Sequence, residues 1–243
     1  MVAGCRTGVV LTVRVVGETG STNVDLLAAA EAGAEEGLWL RAQRQVAGRG
    51  RVGRRWADGD GNLFASTIVR LRPGDPAAPT LTLVAAVALA EAVSVVAPGR
   101  AMIKWPNDLL VSGAKLSGIL LERGAGDAVV IGFGVNVATH PDLADRPTTS
   151  LAAQGVAVTP AALLDLLRER FSHWLERWRG NDLPSVRAAW EAMAHPRGTT
   201  LRVRLPDGGQ CEGTFDGVNA DGALRLVDRD GATTLIHAGD VFA

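Results

Sequence analysis

Short apolar runs alternate with polar punctuation along most of this chain. VVLTVRVV (9–16), LWLRAQ (38–43) and NLFASTIVRL (62–71) are rich in β-branched and apolar residues, and each is read as a strand. STNVDLLAAAEAGAEEG is helical in pattern: Ser21 or Thr22 can cap it, Asp25 suits its first turn, and Gly37 marks its end. Residues 80–97 form an apolar helix, followed by short strands at 101–104, 109–112, 115–122 and 128–137. Helical spacing returns at 159–179, with Leu163, Leu166, Leu167, Phe171, Trp174 and Trp178 on one side, and again at 184–194. The order is mixed rather than a regular βαβα series, so the pattern predicts an α+β domain built on a mixed sheet.

From HPRGTT (195–200) the texture changes. Short strands are separated by the turn signals PDGG, NADG and RDGA, which predicts a small β-barrel or sandwich. The expected division is a main domain over 1–195 and a small C-terminal domain over 196–243, docked on the first because so small a barrel has little core of its own.

Composition narrows the function classes. The chain of 243 residues is 47% hydrophobic with a net charge of -1, which suits a globular protein and not a dedicated nucleic-acid binder. Cys5 and Cys211 lie far apart, and His140, His173, His195 and His237 are scattered, so no zinc, redox or triad pattern stands out. The run Leu81–Ala97 is interrupted by Thr82, Glu91 and Ser94 and reads as a buried helix rather than a membrane span. With no signal peptide pattern at the N-terminus, a cytoplasmic protein is expected.

Two stretches carry the chemistry. AGRGRVGRRW (47–56) places Arg49, Arg51, Arg54 and Arg55 among glycines and ends on Trp56. KWPNDLLVSGAKLSGILLE (104–122) holds Lys104 and Lys115, the two lysines among 25 basic residues. Lysine is a compact point charge and arginine a planar fork, so these two lysines mark tight anion contacts. Asn107 and Asp108 offer an amide and a carboxylate, though Asn-Asp after Pro106 is also an ordinary turn. Lys115 and Ser117 are expected on one strand face, Gly118 leaves room for a ligand, and Ile119, Leu120 and Leu121 should anchor the strand in the core.

STN (21–23), QVAGRGRVGRRW (45–56), KWPND (104–108), KLSGIL (115–120) and GFGVN (132–136), taken in order, resemble the biotin protein ligases. The resemblance runs from about Ser21 to the C-terminus. It implies a catalytic fold like class II aminoacyl-tRNA synthetases, with an SH3-like C-terminal domain. It implies formation of biotinyl-5′-AMP and pyrophosphate from biotin and ATP with Mg2+, then transfer of biotin to a lysine of a biotin carboxyl carrier domain of an acetyl-CoA carboxylase-type enzyme. Metal is expected on the ATP phosphates and not on protein ligands. Ser21, Thr22, Asn23, Gln45, Gly48, Arg49, Gly50, Arg51, Lys115 and Gly118 are the implied biotin contacts. Arg49, Arg51, Trp56, Lys104, Asn107, Lys115, Gly134 and Asn136 are the implied adenylate contacts. Lys115, Arg49 and Arg51 would act in the first step. Asp108 is the candidate to orient or deprotonate the carrier amine.

Val52 stands where a second arginine often follows R-G-R in the family. Longer members begin with a DNA-binding domain for which this chain shows no segment, so a ligase without nucleic-acid or membrane partners is expected, as a monomer or homodimer. Arg54 and Arg55 are expected to be solvated or carrier-facing, and the glycine-rich loop to order with ligand. A lipoate or octanoyl transferase is the rival from the same fold class. A nucleic-acid module using Arg49–Arg55 is the rival from another class, and the neutral charge balance counts against it.

Overall fold

The computed structural model describes residues 12–242. Cys5 and the first positions of the strand expected at 9–16 lie outside the described residues. The larger sheet contains β1 (Val13–Thr19), β2 (Trp39–Gln45), β3 (Leu63–Arg70), β4 (Ala101–Lys104), β5 (Asp108–Val111), β6 (Ala114–Arg123) and β7 (Ala128–Val135). Its order is β1-β2-β3-β7-β6-β5-β4. β1 and β2 run parallel and every other neighbouring pair antiparallel, which makes the sheet mixed, as the irregular element order predicts.

Strand alternation decides what covers each face. On β7, Val129, Ile131, Phe133 and Val135 point into the main core, together with Trp39 of β2 and Leu63, Ala65 and Val69 of β3. That face is covered by α2 (Leu81–Val96), α3 (Pro160–Arg179) and α4 (Leu183–Met193). The segment Ala78–Val96 is long and apolar enough to cross a membrane, but here α2 is the central core helix, apolar all round because its neighbours surround it. α3 is amphipathic: Thr159 caps it by accepting from the Ala162 amide at 3.2 Å, and Leu163, Leu164, Leu167, Phe171, Trp174 and Trp178 are buried. Leu166, expected on the same side, packs against the core half-buried, and Leu164 joins the buried set.

The other face carries α1 (Thr22–Glu31), which packs Leu26 and Ala30 on Ile68, Ala128 and Val130. α1 stops well before Gly37. Gly33, at φ 90°, turns the chain out of the helix, while Gly37 at φ 82° starts the entry into β2 and donates to the Ile68 carbonyl at 3.1 Å. α1 covers Ala128 and Val130 with Leu26 and Ala30, its first-turn Asn23 reaches Gly132, and no helix covers the strip beyond.

The second sheet contains β8 (Thr200–Arg204), β9 (Gln210–Val218), β10 (Leu224–Val227), β11 (Thr233–Ile236) and β12 (Asp240–Phe242), antiparallel in the order β11-β10-β9-β8-β12. The expected Asp-Gly turns put Gly208, Gly222 and Gly231 at φ 88°, 81° and 82°, where a side chain is strained. This SH3-like unit is docked by directional contacts. Arg187 of α4 donates to the Val218 carbonyl at 2.5 Å, the Val218 amide donates to Glu191 at 3.1 Å, and Trp105 Nε1 donates to the Gly222 carbonyl at 3.0 Å.

Candidate active site

The open strip becomes a cavity because its floor has no side chains. Gly118 of β6 and Gly134 of β7 face each other in register, and Gly132 lies two residues along. A Cβ at Gly134 would stand 2.5 Å from the Trp56 ring, one at Gly118 3.0 Å from it, and one at Gly132 2.2 Å from Asn23 Oδ1. The Trp56 indole therefore lies directly over the glycine floor. Its N–H is buried without a partner.

At the end beside α1, buried polar side chains form a connected chain. Gln45 Oε1 accepts from the Thr22 amide at 2.8 Å and from Thr22 Oγ1 at 3.0 Å. Thr22 Oγ1 lies 2.7 Å from Ser66 Oγ, and Ser66 Oγ donates to Asn23 Oδ1 at 2.6 Å. Asn23 Nδ2 donates to Glu122 Oε2 at 2.9 Å. Ser21 occupies the N-cap position, but its side chain makes no capping bond and lines the cavity instead.

A β-bulge positions the lysine. Leu109 pairs with Ser117 and Leu110 with Lys115, so Leu116 is the extra residue and the face reverses there. Lys115 consequently shares the cavity with Gly118 and Leu120, while Ser117 is fully buried and donates to the Gly134 carbonyl at 2.6 Å. This differs from the simple alternation that put Lys115 and Ser117 on one face and Leu120 in the core. Lys115 Nζ donates to Asp108 Oδ1 at 2.6 Å and stands 5.7 Å from the Trp56 ring centroid.

The arginine segment folds back on itself as a hairpin. The Gly50 amide donates to the Arg54 carbonyl at 2.7 Å, and the Trp56 amide to the Gly48 carbonyl at 2.9 Å. Gly48 has no room for a side chain, since a Cβ would lie 2.9 Å from the Trp56 carbonyl oxygen. At the tip, Val52 is exposed with φ 54°, an unfavourable angle for a β-branched residue. The arginines diverge. Arg49 Nη1 meets Glu122 Oε1 at 3.3 Å, Arg51 Nη1 donates to Asn107 Oδ1 at 3.1 Å, Arg54 pairs with Asp240 of β12, and Arg55 donates to the Val46 carbonyl at 3.1 Å. Arg54 is thus tied to the C-terminal sheet rather than simply solvated.

Burial pushes Arg51 below the usual arginine range, with Asp240 and Asp108 opposing that shift. Burial raises Asp240, but the hydrogen bond from Arg54 and the charges of Arg54, Arg146 and Arg51 outweigh it and hold the carboxyl below its usual range. The cavity mouth is therefore a mesh of cations whose counter-charges come from the protein's own side chains.

Of the residues singled out from sequence, Ser21, Thr22, Asn23, Gln45, Arg49, Gly50, Arg51, Trp56, Asn107, Asp108, Lys115, Gly118, Gly134 and Asn136 line this one cavity. Gly48 supports it from behind. Lys104 stands off its wall, with Nζ 5.5 Å from the Phe242 ring centroid at the contact with the C-terminal sheet, and burial lowers its pKa. Asn136 braces the far wall, its Nδ2 donating to the Thr149 carbonyl at 3.0 Å. Sequence reasoning passed over Ser66, Glu122, Gly132, Arg146 and Asp240. Gly132 begins the GFGVN motif and could have been found there. Ser66 and Glu122 are polar residues in strands and carried no signal of their own. Among the described residues, no three His, Cys, Asp or Glu side chains come together to hold a metal.

Residues 19–136 match the family model described as Biotin/lipoate A/B protein ligase family, and residues 202–243 match that of the biotin protein ligase C-terminal domain. A biotin--[acetyl-CoA-carboxylase] ligase of Paracoccus denitrificans is 37% identical over 236 residues, covering 92% of this chain and 97% of that protein. Its counterpart from Mycobacterium tuberculosis is 40% identical over 235 residues, covering 93% of this chain and 87% of the other. The solved biotin protein ligase from Aquifex aeolicus, in complex with biotin and ATP, matches with a TM-score of 0.82 at 24% identity, over 95% of this chain and 97% of that one. That last likeness concerns the fold. With these relatives spanning nearly its whole length, the chain belongs to the biotin protein ligase family.

Proposed function

We propose that this protein is an ATP-dependent biotin protein ligase that forms biotinyl-5′-AMP and then biotinylates a lysine of a carboxylase carrier domain. The observation that carries the reading is one cavity that joins a closed amide-and-hydroxyl end to a lysine and a set of arginines over a glycine floor. Strands advance about 3.3 Å per residue, so Gly132 to Asn136 spans roughly 13 Å, enough for a ureido ring, an acyl chain and a carboxylate in line.

In this reading the ureido ring sits by Thr22, Asn23 and Gln45, and the acyl chain runs past the Trp56 ring, which stands on Gly118 and Gly134, toward Lys115. The carboxylate ends at Lys115. One carboxylate oxygen attacks the α-phosphorus of ATP, the α–β phosphoanhydride bond breaks, and pyrophosphate leaves. Lys115, Arg49 and Arg51 hold the two anions together and offset charge on the phosphoryl oxygens, which is catalysis by positioning and preorganised charge. A magnesium ion would be held chiefly by the triphosphate oxygens. The adenylate lies toward Asn107, Asn136 and Arg146.

In the second step the carrier amine attacks the acyl carbon, the bond to AMP breaks, and a proton must leave the nitrogen. Asp108, beside Lys115, is the group assigned to orient that amine and take the proton. We divide the chain into a catalytic unit over 1–195 and an accessory unit over 196–243. No membrane or nucleic acid enters the reading, and a monomer or a homodimer is compatible with it.

The test separates the steps. Radiolabelled ATP with biotin should yield the adenylate, while lipoate should not; adenylation with lipoate alone would reject the assignment. Lys115→Gln should lose adenylation by about 100-fold or more. Asp108→Asn, given purified biotinyl-AMP, should transfer to a carrier domain more slowly with an altered pH profile. Unchanged transfer would remove Asp108 from that role.

A further inference from the structure

We propose that Glu122 is a positioning residue for this reaction: it fixes the donor–acceptor direction of the buried hydrogen-bond chain and ties that chain to the arginine loop through Arg49. The inference rests on placing biotin at the α1 end of the cavity. Glu122 does not line the cavity. It touches two residues that do.

An ionised carboxylate only accepts hydrogen bonds. Glu122 Oε2 accepts from Asn23 Nδ2 at 2.9 Å, and the Leu120 carbonyl accepts from the same nitrogen at 3.3 Å. With two acceptors on that side, the Asn23 carboxamide turns its nitrogen toward β6 and its oxygen toward Ser66. Ser66 then gives its single proton to Asn23 Oδ1 at 2.6 Å. The Ser66 oxygen must therefore be the acceptor in its 2.7 Å contact with Thr22 Oγ1. Thr22 shares its proton between Ser66 and Gln45 Oε1, so toward a ligand its hydroxyl can only accept. Gln45 Oε1 is occupied by Thr22, which leaves the amide nitrogen of Gln45 as the end free to donate. An acceptor beside a donor is the complement of a ureido N–H beside its C=O.

The second contact reaches the loop. Glu122 Oε1 stands 3.3 Å from Arg49 Nη1, and the two carboxylate oxygens serve different partners. One side chain thus links the group that reads the ring to the loop that covers the acyl phosphate. The Asn23 carboxamide has little freedom to escape this arrangement, because its oxygen occupies the space where a side chain at position 132 would lie. A merely structural ion pair on β6 would affect stability and leave substrate parameters alone.

The experiment compares wild type, E122Q, E122A, R49Q and the E122Q/R49Q double variant. It reads biotin and ATP KM and kcat from pyrophosphate release, the dissociation rate of biotinyl-AMP, and the unfolding midpoint. E122Q can present its own N–H to Asn23 and so perturbs the chain's direction at nearly constant shape. The expected result is a biotin KM raised about tenfold in E122Q, with kcat and the ATP KM within about twofold. R49Q and E122Q should each speed loss of the intermediate, and the double variant should be no faster than the worse single. If E122A fails to fold, E122Q alone decides. Biotin KM and dissociation within about twofold of wild type in E122Q, or a kcat loss at unchanged KM, would overturn the role. A wild type inactive with biotin would overturn the functional reading and this inference together; an active wild type matched by E122Q overturns the inference alone.

Discussion

Gly134 shows how much a single residue can decide. Its missing side chain is the space in which the Trp56 ring lies, at what would be 2.5 Å from a Cβ. Gly134→Ala should push Trp56 off the floor, costing about 1–3 kcal/mol of stability by overpacking. Biotin KM should rise with it; calorimetry and steady-state kinetics check both, and unchanged values would mean that Trp56 moves freely. Residues of this kind are legible because glycines, lysines and a tryptophan at fixed spacings suit a ligand cradle better than they suit a plain strand or turn. Ser66, Glu122 and Asp240 are not, because a polar residue in a strand resembles any exposed position until its neighbours are known. Lys104 sits at the contact between the two sheets, and its neighbour Phe242 lies more than a hundred positions away in sequence, beyond the reach of local pattern.

Most elements follow from periodicity, and the departures have local causes. α1 ends early because Gly33 takes the left-handed angle first. The bulge at Leu116 is hidden because alternation carries no mark of an inserted residue, yet it is what delivers Lys115 to the cavity. Glu36, between α1 and β2, staples the end of α3 to the end of β3. It accepts from Arg179 at 2.5 and 2.6 Å, from Arg72 at 2.8 Å and from the Arg70 amide at 2.8 Å. Burial raises its pKa, but the Arg179 hydrogen bond, the Arg70 amide and the nearby charges together hold it below the ordinary value. A lowered folded-state pKa means stabilisation that is complete above about pH 4.3 and lost as pH falls through the folded value. Glu36→Gln should cost about 2 kcal/mol at neutral pH and flatten the acid limb of the stability curve. An acid limb identical to wild type would show that other carboxylates set it.

At the scale of the whole molecule, the C-terminal sheet does more than flank the catalytic one, since Asp240 of β12 lines the cavity mouth and holds Arg54. The pair is partly exposed, so it should contribute under about 1 kcal/mol to stability. Arg54→Ala and Asp240→Ala should nevertheless hasten escape of biotinyl-AMP to the same extent, and the double variant no further. Additive rates would show two independent effects and no latch between the sheets. The small sheet is readable from its Asp-Gly turns, but its share in the cavity depends on a long-range pairing that no local pattern encodes. α1, meanwhile, shields Ala128 and Val130 with Leu26 and Ala30 and brings Asn23 over Gly132, and beyond it the Trp56 ring stands over Gly134. The Trp56 ring does there what the helix does for its neighbours. One loop side chain thus completes a part of the sheet that no helix covers. A ligand taken up beside that ring would bind the folded chain, so biotin is expected to raise the unfolding midpoint, and an unchanged midpoint would count against that placement.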